Sequence, residues 1–237
     1  RFDTNKTLQV NGTLVARGTA TDPVIFTSSA ASPAAGDWGF ILFANSSQDT
    51  TFDAGGNYQA GSILQHCTVE YAGGASGSAY AVRIDQSAPF IDSCTVSNNA
   101  GSGIRVTDIG SANLKITNST LSGNTASLPG GGISIYSNST PSITFSGNTV
   151  TNNTTSGVGG GVYMHGWGSS ITFSDNTVTG NTSTGGSGYI TGGGGGGIFF
   201  ENISPTMSDN TIANNTASGT GGGIFIYTNS TIANLSG

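Results

Sequence analysis

The feature that most restricts the fold of this chain is a segment that recurs, nearly unchanged, in its C-terminal half. It reads SITFSGNTVTNNTTSGVGGGVYM at 142–164, SITFSDNTVTGNTSTGGSGYITGGGGGGIFF at 170–200 and PTMSDNTIANNTASGTGGGIFI at 205–226. A period of about 20 to 50 residues is typical of solenoids, in which each repeat buries its apolar side only against its neighbours. The 237 residues therefore predict one elongated domain.

Two short motifs recur once per repeat. The first has steps of 27, 25, 29, 28 and 34 residues, and its copies are Cys67–Val69, Cys94–Val96, Ser119–Leu121, Asn148–Val150, Asn176–Val178 and Asn210–Ile212. The second, the post-glycine motif, has the copies Val82–Ile84, Ile104–Val106, Ile133–Ile135, Val162–Met164, Ile198–Phe200 and Ile224–Ile226. Side chains that alternate in this way indicate half-buried strands, and no helical period is present.

These strands predict an all-β fold, a single-stranded right-handed parallel β-helix of about eight coils. The domain covers 1–237, with irregular N-terminal coils over 1–61 and regular coils over 62–237. Leu14 and Phe40 extend the post-glycine column into the first coils. Two inward columns are expected: Leu64, Ile91, Ile116, Phe145, Phe173 and Met207, and Val69, Val96, Leu121, Val150, Val178 and Ile212.

Asparagines and glycines mark the corners between strands. One set is Asn148, Asn176 and Asn210, and the next is Asn99, Asn124, Asn153, Asn181 and Asn215. Inward amides at corners can bond backbone groups and one another, so we expect two structural ladders. The triple glycines 130–132, 159–161 and 221–223 are expected to give the third corner its positive φ.

The composition excludes several functions. Only 8% of residues are charged, with 6 Lys and Arg against 12 Asp and Glu, so nucleic acid is not an expected partner. No apolar run reaches the roughly 18 residues of a membrane helix. Both ends fall within coils and look uncapped. We therefore expect either that further coils follow in a longer chain or that copies assemble head to tail into filaments.

N-glycosylation sequons are frequent. The candidate sites are Asn5, Asn11, Asn45, Asn118, Asn138, Asn202 and Asn229. A chain rich in Asn, Ser and Thr also forms such sequons by chance, so they support a secreted glycoprotein only weakly.

The runs Phe145-Ser-Gly-Asn148 and Phe173-Ser-Asp-Asn176, each followed by a Gly-Gly-Gly motif, resemble the FxxN and GGA-I repeats of polymorphic outer-membrane proteins. These are autotransporter adhesins built on β-helices, and the resemblance covers roughly residues 114–237. The segments GTLVARGTATDPVIFTS and GDWGFILF are similar to the first coils of bacterial secreted β-helix proteins. The resemblance implies a β-helical fold at an extracellular or cell-surface location.

Cys67 and Cys94 occupy matched positions on consecutive coils, with Cα atoms expected about 4.8 Å apart. That distance permits a disulfide, but a bridge between in-register parallel neighbours would be strained, so buried thiols are the favoured alternative. The sequence contains no catalytic cysteine signature and no calcium-binding repeat, and we expect neither metal nor cofactor.

The outward residues of the post-glycine strands change from charged to aromatic along the axis. The N-terminal outward pairs are Ile41 with Phe43, Arg83 with Asp85 and Arg105 with Thr107. Farther along, a predicted binding face consists of Tyr136, Tyr163, His165, Phe199, Phe225 and Tyr227. Contiguous exposed apolar surface usually marks contact with a partner, here a protein, a glycan surface or another copy. Favourable stacking in β-rich sequence is the simpler alternative.

His165 and Glu201 should be neighbours on adjacent coils, flanked by Tyr136 and Tyr163. This is the only plausible acid/base cluster, and an extra loop between Asn176 and Ile198 could wall a cleft beside it. The cluster supports a polysaccharide lyase or hydrolase as the alternative to a non-enzymatic adhesive or structural module, which we favour. Arg83 and Arg105, the residues that could neutralise an acidic sugar, lie two or more coils away.

A third hypothesis comes from an outward threonine ladder. Its members are Thr68, Thr95, Thr120, Thr149, Thr177 and Thr211, with Ser97, Ser122, Thr151 and Thr179 two residues on. Regular Thr-x-Thr arrays on flat solenoids resemble ice-binding faces, although threonine is also simply a good strand former.

Overall fold

A computed structural model describes residues 1–74, 80–166, 168–185, 194–227 and 234–236. All of the regular structure in these ranges is β-strand, arranged as a parallel β-helix of eight stacked coils. This confirms the predicted fold class and coil number. Each complete coil contributes one strand to each of three main sheets, which we call the post-glycine sheet, the second sheet and the third sheet. The later coils also contribute a strand to a fourth sheet, the short sheet.

The strands of each sheet pair in parallel with those of the coils on either side. The post-glycine sheet contains Leu8–Val10, Ile41–Phe43, Tyr80–Asp85, Ser102–Thr107, Ile133–Ser137, Val162–Gly166, Ile198–Glu201 and Ile224–Tyr227. The second sheet contains Val15–Arg17, Ile63–Gln65, Phe90–Asp92, Asn113–Thr117, Ser142–Ser146, Ser170–Ser174, Thr206–Ser208 and Asn234–Ser236.

The third sheet contains Val24–Phe26, Cys67–Glu70, Thr95–Ser97, Thr120–Ser122, Thr149–Thr151, Thr177–Thr179 and Thr211–Ala213. The short sheet contains Thr125–Ala126, Thr154–Thr155, Thr182–Ser183 and Thr216–Ala217. Thr51–Phe52 and Tyr58–Ala60 form a separate antiparallel hairpin between the second coil's post-glycine and second strands.

The registers predicted from the repeat period are confirmed. Phe145 pairs with Phe173 in the second sheet, and Val150 pairs with Val178 in the third. Both inward columns lie in the interior, where most of their members are buried. The rings of Phe145 and Phe173 stack with centroids 5.3 Å apart, and Phe200 meets Phe173 edge to face at 5.8 Å.

The predictions for the first coils are wrong in detail. Leu14 precedes a strand of the second sheet, and the first post-glycine strand is Leu8–Val10. Phe40 lies just before its strand, while Ile41 and Phe43 are fully buried and not outward. In the run Phe-Ile-Leu-Phe every residue is apolar, so alternation could not decide which side chains face the core.

The two asparagine ladders are confirmed. In the second ladder the amide Nδ2 of Asn124 donates to Oδ1 of Asn153 at 2.9 Å, and Nδ2 of Asn153 donates to Oδ1 of Asn181 at 3.0 Å. Each of these amides also donates to a backbone carbonyl of the preceding coil, that of Val96 for Asn124 and that of Leu121 for Asn153. The ladders thus satisfy backbone groups that the sheets leave unpaired at the corners.

The predicted role of the triple glycines is confirmed at the first glycine of each triple. Only the first glycine of each triple has a positive φ, 78° at Gly130, 67° at Gly159 and 66° at Gly221. A Cβ on Gly160 would contact the carbonyl oxygen of Gly196, and one on Gly132 would lie 2.8 Å from the carbonyl oxygen of Gly161. Gly131, Gly132, Gly160 and Gly161 are therefore needed because successive coils approach too closely there for any side chain.

No helix occurs in the described part of the chain, so none there is long and apolar enough to cross a membrane.

Candidate functional site

The candidate site lies on the outer side of the post-glycine sheet, where two columns of side chains run along the axis. One column contains Arg83, Arg105, Ser134, Tyr163, Phe199 and Phe225. The other contains Asp85, Thr107, Tyr136, His165, Glu201 and Tyr227. Because the register is unbroken, every pair predicted to be neighbours on adjacent coils lies side by side.

The aromatic residues of the first column do not form an exposed face. Phe199 is 0% exposed and Tyr163 is 8% exposed, although both point away from the interior. Phe199 stacks on Phe225 with centroids 5.2 Å apart and contacts Tyr163 at 5.8 Å, and Val158 completes the cluster. These rings form a small second core outside the coil. The prediction that Tyr163 and Phe199 belong to an exposed binding surface is therefore wrong.

The remaining members of the predicted binding face are half-buried. His165 stacks on Tyr136 with centroids 4.5 Å apart and an interplanar angle of 4°. Phe225 and Tyr227 pack against this small second core. Whether these four residues bind a partner stays a prediction.

The predicted acid/base cluster is assembled as expected. Tyr163 Oη donates a hydrogen bond to Glu201 Oε2 at 2.6 Å, and His165 Nδ1 lies 3.4 Å from the same oxygen. The side chains of His165 and Glu201 are 12% and 16% exposed. Among the described residues His165 Nδ1 has no hydrogen-bond partner of good geometry. The three side chains therefore meet at one carboxylate oxygen, and a catalytic role for them stays a prediction.

The surroundings of Tyr163 favour the neutral form of its phenol. Burial, followed by the hydrogen bond to Glu201, raises the pKa of Tyr163 well above its usual range. The more distant Arg105 opposes this rise in pKa. Tyr163 therefore acts as a hydrogen-bond donor to Glu201 near neutral pH and cannot serve as a base there.

The arginines do not join this cluster. Arg83 Nε lies 2.6 Å from Asp85 Oδ2, and the guanidinium also donates to Tyr80 Oη at 2.8 Å. Arg105 lies two coils before His165, and within the described ranges it forms no ion pair. The part of the predicted loop that could wall a cleft, residues 186–193, lies outside the described residues.

A second surface feature is a groove beside the short sheet. Its volume is about 390 Å³, and it is lined by Ala100, Gly101, Thr125, Ala126, Ser127, Thr154, Ser156 and Thr184. Thr125, Thr154, Thr182 and Thr216 stand in register on four consecutive coils of this sheet. The groove was not predicted from the sequence, although an Asn-Thr pair at each of these corners indicates the threonine ladder.

The threonine ladder of the third sheet is in register as predicted, from Thr68 to Thr211. Its regular spacing follows from the coil stacking, and ice binding by this face stays a prediction.

The sequons differ in accessibility. Asn5, Asn11, Asn45, Asn118 and Asn138 are exposed. Asn202 is half-buried, and its Oδ1 is buried without a hydrogen-bond partner among the described residues. Asn229 lies outside the described residues. Five of the seven candidate sites are therefore open to modification.

The two cysteines are free and buried, in agreement with the favoured alternative. Within the described ranges no group of three or more His, Cys, Asp and Glu side chains is placed to hold a metal ion.

Comparison with known proteins gives one match. A family model described as a right-handed β-helix region matches residues 41–178, more than half of the 237 residues. Neither the curated proteins nor the solved structures include a match to this chain.

Proposed function

The chain belongs to the right-handed β-helix family, and from this premise we propose that it is a non-catalytic module of a secreted or cell-surface protein that binds a neutral glycan. The observation that carries the proposal is the groove beside the short sheet, where hydroxyl groups recur once per coil. Such a groove can contact an extended polymer at several successive units, so weak contacts add along its length.

The chemistry of the groove favours a neutral partner. Thr125, Ser127, Ser156 and Thr184 are exposed, and the hydroxyls of Ser156 and Thr184 already donate to the carbonyl oxygens of Ser127 and Thr155. These two hydroxyl oxygens can still accept hydrogen bonds, and the hydroxyls of Thr125 and Ser127 can both donate and accept. Among the residues that the structure describes, no charged side chain lines the groove. Sugar hydroxyls require this kind of partner, whereas an acidic polymer would require clustered Lys or Arg.

The extracellular location is supported by the exposed sequons and by the resemblance to autotransporter adhesins. The family match covers right-handed β-helices in general and does not single out autotransporter adhesins, so that resemblance stays a prediction. Assembly into filaments is likewise part of the proposal, and negative-stain imaging tests it. Fibres would support assembly, and dispersed rods at high concentration would oppose it.

Affinity electrophoresis against neutral and acidic polysaccharides tests the glycan proposal. We expect retardation by at least one neutral polymer and its loss in Thr154→Arg, which places a long charged side chain in the groove. Thr172→Arg is the matched control, because Thr172 is exposed on the second sheet and does not line the groove. Retardation only by acidic polymers, or equal retardation of both variants, would contradict the proposal.

A polysaccharide lyase or hydrolase is the second candidate, and the contact of Tyr163 and His165 with Glu201 is the observation that favours it. If the chain were such an enzyme, it would release new reducing ends or unsaturated sugars from polysaccharides, and Glu201→Gln would abolish this release. We expect no release, because the carboxylate already accepts the hydrogen bond from Tyr163 and borders a packed aromatic cluster.

A further inference from the structure

Cys67 and Cys94 form a pair that neither the fold nor the proposed function explains. Their positions are paired in the register of the third sheet, one residue before Thr68 and Thr95. They are 1% and 2% exposed. The same column continues with Ser119, Asn148, Asn176 and Asn210, so the thiols stand at the N-terminal end of an amide ladder.

The two thiols make equivalent hydrogen bonds on successive coils. Cys67 Sγ donates to the carbonyl oxygen of Ala16 at 3.4 Å, and Cys94 Sγ donates to that of Leu64 at 3.3 Å. Ala16 and Leu64 are themselves register partners. Side chains with equivalent partners on adjacent coils are related by one coil step, and from this step we infer a separation of about 4.8 Å between the sulfur atoms.

This separation suits a bridging metal ion better than a disulfide. A disulfide requires sulfur atoms about 2.05 Å apart and Cβ atoms about 3.5–4.5 Å apart, closer than parallel in-register neighbours. Metal–thiolate bonds are about 2.3 Å long for zinc. Two such bonds in line span about 4.6 Å, close to the step between coils.

We propose that Cys67 and Cys94 form a two-coordinate site for a soft d¹⁰ metal ion, of the class of Cu(I), Ag(I) and Hg(II). Soft thiolate ligands select such ions. On binding, each thiol loses its proton and each sulfur forms one bond to the metal, so one ion enters and two protons leave without any change of oxidation state. The hydrogen bonds to Ala16 and Leu64 are given up in the same step.

The surroundings allow an ion to reach the pair. An open cleft of about 150 Å³ reaches Cys67 and is lined by Thr19, Ala20, Pro23, His66, Thr68, Ser93 and Thr95. An ion that enters by this cleft therefore reaches Cys67 first.

The charge of the occupied site sets an order among the metals. A monovalent ion with two thiolates leaves one net negative charge in a buried place close to Asp92, whereas Hg(II) leaves none. We therefore expect tighter binding of Hg(II) than of Ag(I). Zn(II), which requires four ligands in a structural site, should bind weakly.

The experiment is a titration of the reduced, full-length chain with Hg(II), Ag(I) and Zn(II), followed by native mass spectrometry and thiolate-to-metal absorption. One equivalent of Hg(II) or Ag(I) is expected. Cys67→Ser and Cys94→Ser should each lower the affinity at least a hundredfold. His66→Ala should retain it, since the imidazole lines the cleft but is not a proposed ligand.

Cys94→Asn is the control for misfolding of the variants, because asparagine occupies this position in the later coils of the column. It should fold and fail to bind. Binding of two equivalents, one per independent thiol, would overturn the proposal, as would equal affinity in either Ser variant. Conversion of the pair to a disulfide in air, detected as the loss of two hydrogen masses, would show that the thiols approach more closely than a bridging metal permits.

Discussion

The corner asparagines show most clearly how single residues hold this fold together. Asn153 is 0% exposed, yet its amide is fully used. Its Oδ1 accepts hydrogen bonds from Asn124 N and Nδ2 at 3.1 and 2.9 Å, and its Nδ2 donates to Leu121 O and Asn181 Oδ1 at 2.9 and 3.0 Å. Removing such a side chain leaves buried donors and acceptors on two neighbouring coils without partners.

Asn153→Ala should therefore be strongly destabilising. Each buried group left unsatisfied costs about 1–3 kcal/mol, so we expect the free energy of unfolding to fall by about 3 kcal/mol or more. Urea titration measures this loss. Asn113→Ala is the control, because Asn113 is exposed at the start of its strand, and a change within about 0.5 kcal/mol is expected there. Equal effects at both positions would show that the ladder is not a major source of stability.

Asp92 is the residue that most directly links stability to pH. Burial raises the pKa of its carboxyl, but hydrogen bonds from Gln65, Thr117, Asn118 and Ser93 outweigh burial and hold the pKa below its usual value. A carboxyl whose pKa is lower in the folded state stabilises the fold above its unfolded pKa of about 3.9. That contribution is lost as the pH falls through the folded pKa.

Thermal melting between about pH 6 and pH 2 checks this expectation. The native chain should lose stability as the pH falls below about 4, and Asp92→Asn should lose less over the same interval because its amide does not titrate. Asp22→Asn, at an exposed turn, controls for the removal of one negative charge. If Asp92→Asn and the native chain lost equal stability, the hydrogen-bonded carboxylate would not contribute.

At the scale of the elements, each strand ends at a corner with a fixed backbone pattern. The residue before each inward corner residue has a positive φ, for example 55° at Asn152 before Asn153 and 57° at Asp175 before Asn176. Glycine takes the same place at Gly147 and Gly180, each with a φ of 67°. Gly, Asn and Asp alternate there because these residues tolerate the left-handed conformation.

At several glycines before the post-glycine strands, close contact with the neighbouring coil leaves no space for a side chain. A Cβ on Gly160 would contact the carbonyl oxygen of Gly196 and lie 2.7 Å from the carbonyl carbon of Thr182. Gly160→Ala should therefore force neighbouring coils apart. A Cβ on Gly12 would meet nothing within 4 Å, so Gly12→Ala is the matched control. We expect a loss of about 2 kcal/mol or more for Gly160→Ala and less than about 0.5 kcal/mol for Gly12→Ala by denaturant titration. Comparable losses would mean that the coils can separate at little cost.

At the scale of the whole molecule, the fold is a one-dimensional stack. In the described part of the chain, each strand of the three main sheets pairs only with strands of other coils, and apart from the hairpin all pairing is parallel. Stability in such a stack is the sum of coil terms and nearest-neighbour interfaces, so a local defect is felt first by adjacent coils.

Phe173→Ala tests this coupling. The ring is 0% exposed and contacts Phe145 and Phe200, so truncation should cost about 3–5 kcal/mol. Amide hydrogen exchange should rise first in the coils that contain residues 133–217 and least in the first two coils. Thr172→Ala, at the exposed neighbouring position, should leave the exchange pattern unchanged. A uniform rise along the chain would instead indicate global unfolding.

The sequence by itself determined the period, the strands, the inward columns of the regular coils and the register between them. It could do so because residues in contact are separated by one repeat, so spacing along the chain gives adjacency in space. The meeting of His165 with Glu201 follows from this rule, as do the asparagine ladders and the matched cysteines.

Only the tertiary structure decided what covers the outward side chains. Alternation tells which way Phe199 points, but its burial depends on Val158 and on rings from neighbouring coils. The same holds for Ile41 and Phe43, whose all-apolar strand has no alternation to read. It also holds for the groove beside the short sheet, whose lining residues come from successive coils. A periodic pattern specifies direction and register, whereas coverage depends on packing in three dimensions.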